Sequence, residues 1–465
     1  MDCPSGDQER TKLSVSCLKK DLTAAILNLK GSSFFKNILV VMSGTAVAQI
    51  IGFALIPIIS RLFNPSDFGI YGSFNSVMAI VAAGVTLQYS QAIMLPKQDE
   101  DAANVFAVSM LSVFVITPVG LLLAYFFSDW LLDLLKAPDS KWLLWFLPLC
   151  IFVSGINQSF QAWCIRRKAF KKTAFSQMVR AGSVNTFQIV SGLFRHGSGG
   201  LIASSVAADG IASVNLAHQV FFTDKVLLKS SLTWKRIGRL AVEYRDFPIY
   251  SATLNMMNAL SQGLPVLLLA HFYGIAIAGA YAFGIRMLQV PFNFVNTALR
   301  QVLFQKVSEA YNHRQEIYPL FIKATLGLAT VSLPPSILFI FGSPRIFAWV
   351  FGEQWRVAGE YAGWLALWLM VAFCNAPSVL FARVLRKQKQ LFIYEFIQLS
   401  LRTACLFIGG LYYKAHMTVI LFSMVGILSN SILIIWIAFA VKRVHVNYDI
   451  DALQKNYTWD HGCPK

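Results

Sequence analysis

The sequence predicts an all-α polytopic membrane protein, with about twelve transmembrane helices in two pseudo-symmetric six-helix lobes around a central cavity. Three observations carry this. Of 465 residues, 56% are hydrophobic and only 14% are charged, too little charge to cover a soluble globule of this length. Apolar runs of about 20 residues, the length that crosses the hydrocarbon core of a bilayer, recur along the whole chain. The basic residues between those runs alternate in density, as the positive-inside rule requires.

In chain order, residues 1–36 are polar and basic and form a tail without a cleavable signal peptide; the first long apolar run is expected to insert as span 1. The spans run roughly over 37–60, 67–95, 102–127, 141–164, 173–194, 199–222, 247–270, 275–302, 317–342, 357–382, 390–412 and 416–441. Placing the N terminus in the cytoplasm, and counting Lys141, Arg300 and Lys323 near the span ends with the adjoining loops, puts 30 of the 40 Lys and Arg residues on the cytoplasmic side, 7 outside and 3 deep within spans. That bias predicts both termini in the cytoplasm and accounts for the net charge of +17 without invoking nucleic acid. The expected domains are a tail (1–36), an N-lobe (37–222), a basic inter-lobe linker (223–246), a C-lobe (247–441) and a C-terminal tail (442–465).

The two lobes repeat a pattern. Span 1 carries Ser43-x-Thr45 and Pro57, followed by Gly69-x-Tyr71 in span 2; span 7 carries Ser251-x-Thr253 and Pro265, followed by Gly279-x-Tyr281 in span 8. Both blocks open a set of six spans. Six is even, so the halves enter from the same side and their pseudo-symmetry axis runs along the membrane normal.

Polar residues inside spans are costly in lipid and face protein or a wet cavity. Span 8 places Arg286, Gln289, Asn293, Asn296 and Arg300 on one helical face, and span 7 does the same with Ser251, Asn255, Asn258 and Gln262. In span 5, Gln177, Arg180 and Gln188 share a face; in span 11, Glu395, Gln398 and Arg402 do. Each amide taken singly is explained by hydrogen bonding between helices; the long stripe of span 8 is better explained by a hydrated cavity. The deep arginines Arg180, Arg286 and Arg402 outnumber the deep acids, Asp209 and Glu395, so such a cavity is cationic and suits an anionic substrate. Asp209 and Glu395 are the candidate ion-coupling carboxylates.

Seven scattered cysteines with no C-x-x-C pattern, and isolated histidines, predict no metal site and no disulfide framework. No P-loop, loop-borne carboxylate pair or nucleophile motif points to an enzyme or a cofactor.

The stretch "SGTAVAQIIGFALIPIISRLFNPSDFGIYGSF" (43–74) resembles the first two spans of the O-antigen and exopolysaccharide flippases of the multidrug/oligosaccharidyl-lipid/polysaccharide exporter superfamily. "LPVLLLAHFYGIAIAGAYAFGIRML" (264–288), "LRQVLFQKVSEAYN" (299–312) and "GEQWRVAGEYAGWLALWLM" (352–370) agree, and the resemblance covers roughly 36–441. It implies a twelve-helix, two-lobed fold. It also implies flipping of an undecaprenyl-diphosphate-linked oligosaccharide from the cytoplasmic to the outer face of the bacterial inner membrane. The implied partners are that lipid-linked oligosaccharide, membrane lipids and a polysaccharide polymerase complex. Arg180, Arg286 and Arg402 would meet the diphosphate, and Gln289, Asn293, Asn255, Asn258 and Gln262 the sugar. Two other readings stand beside this one. A drug or cation antiporter of the same superfamily calls for cavity carboxylates, and a non-transporting scaffold of a polysaccharide assembly complex calls for no cavity.

Overall fold

The structure, a computed structural model, describes residues 52–134, 141–312, 316–385 and 387–460, which form helices and no strands. Every expected span has a described helix: α1 (Gly52–Leu62), α2 (Pro65–Gly84), α3 (Asp99–Phe126), α4 (Leu143–Arg166), α5 (Phe170–Leu193), α6 (Gly197–Ser231), α7 (Thr253–Tyr273), α8 (Ile275–Asn312), α9 (Tyr318–Phe351), α10 (Arg356–Cys374), α11 (Gln388–Tyr412) and α12 (Ala415–Asp460). Six segments are long and apolar enough to cross a membrane by length and composition alone, those of α3, α6, α9, α10, α11 and α12. Ser43 and Thr45 of the repeat lie outside the described residues.

Two boundaries differ from the sequence expectation. Span 2 was expected to reach 95, but α2 stops at Gly84. Leu87 and Gln88 take left-handed backbone angles, and the Gln88 side chain donates to the Ala83 carbonyl at 2.6 Å, closing off the helix. Span 10 is interrupted at Asn375, two residues before Pro377, whose ring offers no N–H to the helical ladder. Asn375 instead donates through its side chain to Asn430 of α12 at 2.8 Å.

The start of α2 explains the "NPSD" motif. Asn64 is the N-cap residue, Pro65 occupies the first turn, where its missing N–H costs nothing, and the Asp67 carboxylate accepts the Asn64 N–H at 3.1 Å.

The lobes meet where α2 and α8 begin. A Cβ on Gly69 would lie 2.0 Å from the Ile275 carbonyl oxygen, and one on Gly279 would lie 1.8 Å from the Pro65 oxygen. Only hydrogen fits at either place, so the repeat glycines let two helix backbones cross in contact. Above this crossing sits an aromatic cluster. Phe283 stacks on Trp355 at 4.0 Å, while Phe68 packs edge-on to both at 5.3 and 5.1 Å. Hydrogen bonds join the lobes here too. The Trp355 indole and the Gln354 amide each donate to the Ser60 carbonyl at 2.8 Å, and the Ser60 hydroxyl donates to the Phe351 carbonyl at 3.1 Å. We call this the sealed end.

At the opposite, basic end the inter-lobe linker forms an amphipathic helix, Trp234–Glu243. Leu240 is buried against the N-lobe, and the Tyr89 hydroxyl donates to the Ala241 carbonyl at 2.8 Å. The acidic first turn of α3 complements that helix's N-terminal charge preference and gathers the neighbouring cations. Asp99 pairs with Arg166 at 3.1 Å and with Arg167, Glu100 with Arg236 at 2.8 Å, and Asp101 with Arg239 at 3.7 Å. The linker then enters α7 through a π-helical stretch, Phe247–Ala252.

Candidate substrate cavity

α2 and α7 run antiparallel along the seam between the lobes, with Gly72 facing Val266, Ser76 facing Gly263 and Gly84 facing Met256. Beside that seam a cavity of about 390 Å³ opens between Asn75 and Ser76 of α2 and Asn255, Asn258 and Gln262 of α7. The span 7 amide stripe therefore gathers at one wall of one cavity. Gln262 donates to the Asn258 side-chain oxygen at 3.1 Å, and both residues are exposed. That leaves the Asn258 amide N–H groups and the Gln262 carbonyl free to bind hydroxyls. The π-helical entry to α7 widens the turn just before this stripe, a deviation common at functional sites.

Arg286 lies on α8, two turns from Gly279 on the face that makes the crossing. It is exposed and has neither a hydrogen bond nor an ion pair among the described residues. Its pseudo-symmetric counterpart is Ser76, seven residues after Gly69 as Arg286 is after Gly279. Each lies two turns along its helix from the crossing glycine; Ser76 lines the cavity, and Arg286 is not among the cavity's lining residues. Gln289, one turn further, is half-buried, while the side chain of Asn293 lies outside the described residues.

Arg180 is placed differently. Its guanidinium pairs with Asp209 of α6 through Nε and Oδ1, and the side chains are 42% and 33% exposed, so the pair borders open space. Tyr71 is within electrostatic reach of Arg180, and its hydroxyl is bonded to Ser205 at 2.9 Å. Arg402 packs inside the C-lobe, 4.7 Å from the centre of the Trp368 ring and 5.5 Å from that of Phe422. Glu395 is exposed on α11 with no ion pair among the described residues. Of the ion-coupling candidates, then, Asp209 already has a cationic partner and Glu395 does not. Among the described residues no group of His, Cys, Asp and Glu could hold a metal ion.

The structure brings Asn255, Asn258 and Gln262 together and joins Arg180 to Asp209; it gives Arg402 aromatic neighbours instead. Sequence reading missed Asn75, a lone amide in an apolar helix. It also read Tyr71 and Tyr281 only as marks of the repeat, although each lies near the span arginine of its own lobe, Arg180 and Arg402.

The polysaccharide biosynthesis protein family matches residues 58–360, more than half of the chain. The chain belongs to that family. Among curated proteins it is 24% identical over 326 residues to the succinoglycan biosynthesis transport protein ExoT of Rhizobium meliloti (strain 1021), covering 68% of this chain and 62% of that relative. The fold of this family member is shared with two groups of solved transporters. The lipid II flippase MurJ in an inward closed conformation superposes with a TM-score of 0.69 at 13% identity, over 90% of this chain and 93% of that one. An inward-facing multidrug resistance MATE transporter superposes with a TM-score of 0.68 at 13% identity, over 87% and 98%. The match spans less than two thirds of the succinoglycan relative's own length.

Proposed function

We propose that this protein flips an undecaprenyl-diphosphate-linked oligosaccharide, the repeat unit of an O-antigen or exopolysaccharide, from the cytoplasmic to the outer face of the inner membrane. Family membership and the named activity of the succinoglycan relative support a lipid-linked glycan as cargo. The observation that carries the reading is Arg286. It is an arginine without a counter-charge among the described residues, set two turns along α8 from the lobe crossing and on the α8 face that meets α2. Guanidinium binds phosphate oxygens through paired hydrogen bonds, and the Asn255, Asn258 and Gln262 wall supplies partners for sugar hydroxyls.

On this reading the basic end is cytoplasmic, as the positive-inside rule expects, and the sealed end faces outward. The chain is then in an inward-facing state, and transport requires the crossing and the aromatic cluster above it to part. Export of an anionic headgroup is favoured by the inside-negative potential at ~2.3 kcal/mol per charge per 100 mV. An antiporter of organic cations would need an unpaired cavity carboxylate; Asp209 is held by Arg180, and Glu395, though unpaired among the described residues, is not a lining residue of the cavity, which favours the flippase.

In a background lacking the native cysteines, Arg286→Cys is expected to react with a membrane-impermeant thiol reagent applied from the cytoplasmic side. Arg286→Gln at normal expression is expected to accumulate lipid-linked glycan on the inner face and to stop polymer export. Protection of Arg286→Cys in every condition, or normal export by Arg286→Gln, would reject the proposal.

A further inference from the structure

The helix that joins the lobes, Trp234–Glu243, carries a surface that neither lobe covers. At 3.6 residues per turn its side chains fall into three sectors. Ile237, Leu240 and Ala241 turn inward and pack against the N-lobe core. Arg236, Arg239 and Glu243 form a charged sector, whose arginines reach Glu100 and Asp101 at the start of α3. Trp234, Gly238 and Val242, at i, i+4 and i+8, form the third. This sector is apolar, yet Trp234 is 79% and Val242 65% exposed, and no atom lies within 4 Å of a Cβ built on Gly238. Lys235 stands at the border between the apolar and charged sectors, exposed and without an ion pair among the described residues.

The position of the helix identifies what covers the third sector. Asn104 of α3 donates to the Ser231 carbonyl at 2.9 Å and accepts the Thr233 N–H at 3.1 Å, just before the linker helix begins. Asn104 lies within expected span 3, on the α3 face that continues through Val115, Val119, Leu122 and Phe126. Those four are 63%, 47%, 55% and 74% exposed, on a helix long and apolar enough to cross a membrane. Such a face looks into lipid. The linker helix therefore starts over the basic end of a lipid-facing stripe, at the rim of the bundle. A helix in that place has protein on one side, hydrocarbon on a second and water on the third, and its residues are sorted in the same way. Tryptophan favours this boundary, where its ring meets apolar chains and its N–H meets water. Lysine keeps its stem along the apolar surface while its ammonium reaches the headgroups.

We propose that Trp234–Glu243 is a membrane-surface helix: Trp234 and Val242 enter the headgroup–acyl boundary of the leaflet at the basic end, and Lys235 meets phospholipid phosphates. Its partner is the bilayer and not a second protein. Gripped by the N-lobe on one side and by lipid on another, the helix holds the linker at the membrane surface immediately before the π-helical join to α7. The inference rests on the membrane-spanning fold and not on the flippase reading, because its test uses no lipid-linked substrate.

The test uses the full-length protein, lacking its native cysteines, in vesicles of equimolar phosphatidylethanolamine and phosphatidylglycerol. A nitroxide is attached in turn to Trp234→Cys, Val242→Cys and Glu243→Cys. Its collisions are measured with oxygen, which concentrates in hydrocarbon, and with a water-soluble nickel chelate. The oxygen-to-nickel ratio is expected to be severalfold higher at 234 and 242 than at 243, although 242 and 243 are neighbours in the chain. Equal ratios at 242 and 243 would place the sector in water and overturn the proposal. Poor access of both reagents to 234 and 242 would also overturn it, by placing another part of the protein or a second copy over the sector. Hydrogen exchange of the linker amides, unchanged from the unlabelled parent, verifies that each labelled helix stays docked. Should one label undock it, the other position decides.

Discussion

Arg180 and Asp209 show what a single pair contributes inside a helical bundle. Each side chain is partly exposed, so the pair lies between the surface and buried limits. Removing one partner leaves a charge without its complement, at a cost of about 1–2 kcal/mol, below the ~3–5 kcal/mol of a fully buried pair. Arg180→Gln and Asp209→Asn are each expected to lower the unfolding midpoint, and the double variant to lose less than the two losses added. Thermal unfolding of the four proteins measures this directly, and strict additivity would mean that the pair carries no coupling. Neither partner named the other in the sequence. They are separated by 29 positions, on different helices, and a cationic residue in a span advertises a need for compensation without saying which side chain meets it. Arg402 makes the same point more sharply. Its aromatic surroundings come from α8, α10 and α12, and no local pattern on α11 foretells them.

Helices were far more legible than these contacts. Apolar length marked each span, and the Gly-x-Tyr repeat marked corresponding positions in the lobes. The repeat did not reveal that its two glycines touch, because sequence symmetry says which positions are equivalent and not which lie on the axis. Their contact gives an element-scale prediction. At 1.8 Å from a backbone oxygen, a side chain at position 279 cannot be absorbed by a rotamer change, so α2 and α8 must separate. Gly279→Val is expected to favour the state open at the sealed end. Spin labels on the exposed residues Arg195 and Glu353, one in each lobe, should report a longer distance than in the parent. An unchanged distance distribution in a folded variant would show that the crossing does not hold the lobes together. Trp355→Ala should act in the same direction. It removes the stack on Phe283 and the indole hydrogen bond to Ser60, and truncation of a buried Trp costs ~3–5 kcal/mol.

At the scale of the whole molecule, two lobes share one covalent connection, and the charge pattern reveals how it is arranged. The basic segments beside α4 and α6 read simply as topology signals in the sequence. Folded, they also bind the acidic start of α3, so Trp234–Glu243 belongs mechanically to the N-lobe and the join between the lobes narrows to the π-helical stretch Phe247–Ala252. Exposed pairs of this kind contribute about 0.2–1 kcal/mol each and weaken with salt. Glu100→Lys combined with Asp101→Lys is therefore expected to speed hydrogen exchange of the linker-helix amides severalfold while leaving those of α10 unchanged. Equal protection in variant and parent would place the linker's anchorage in Leu240 and Tyr89 instead. The lobes were legible at this scale because they are built from long periodic helices; the cavity was not, because it depends on how far two seams open.

The amide wall of that cavity has no mirror image. Stepping back through the repeat from Asn255, Asn258 and Gln262 of α7 reaches Val47, Ile50 and Ala54 in span 1. The amides of the second lobe therefore face not their own repeat partners but Asn75 and Ser76 on α2 of the first lobe, so a pseudo-symmetric scaffold lines its cavity with two helices that are not repeat partners of each other. A guest rich in hydroxyls meets polar groups of unequal geometry on the two sides and has one preferred orientation instead of two related by the pseudo-axis.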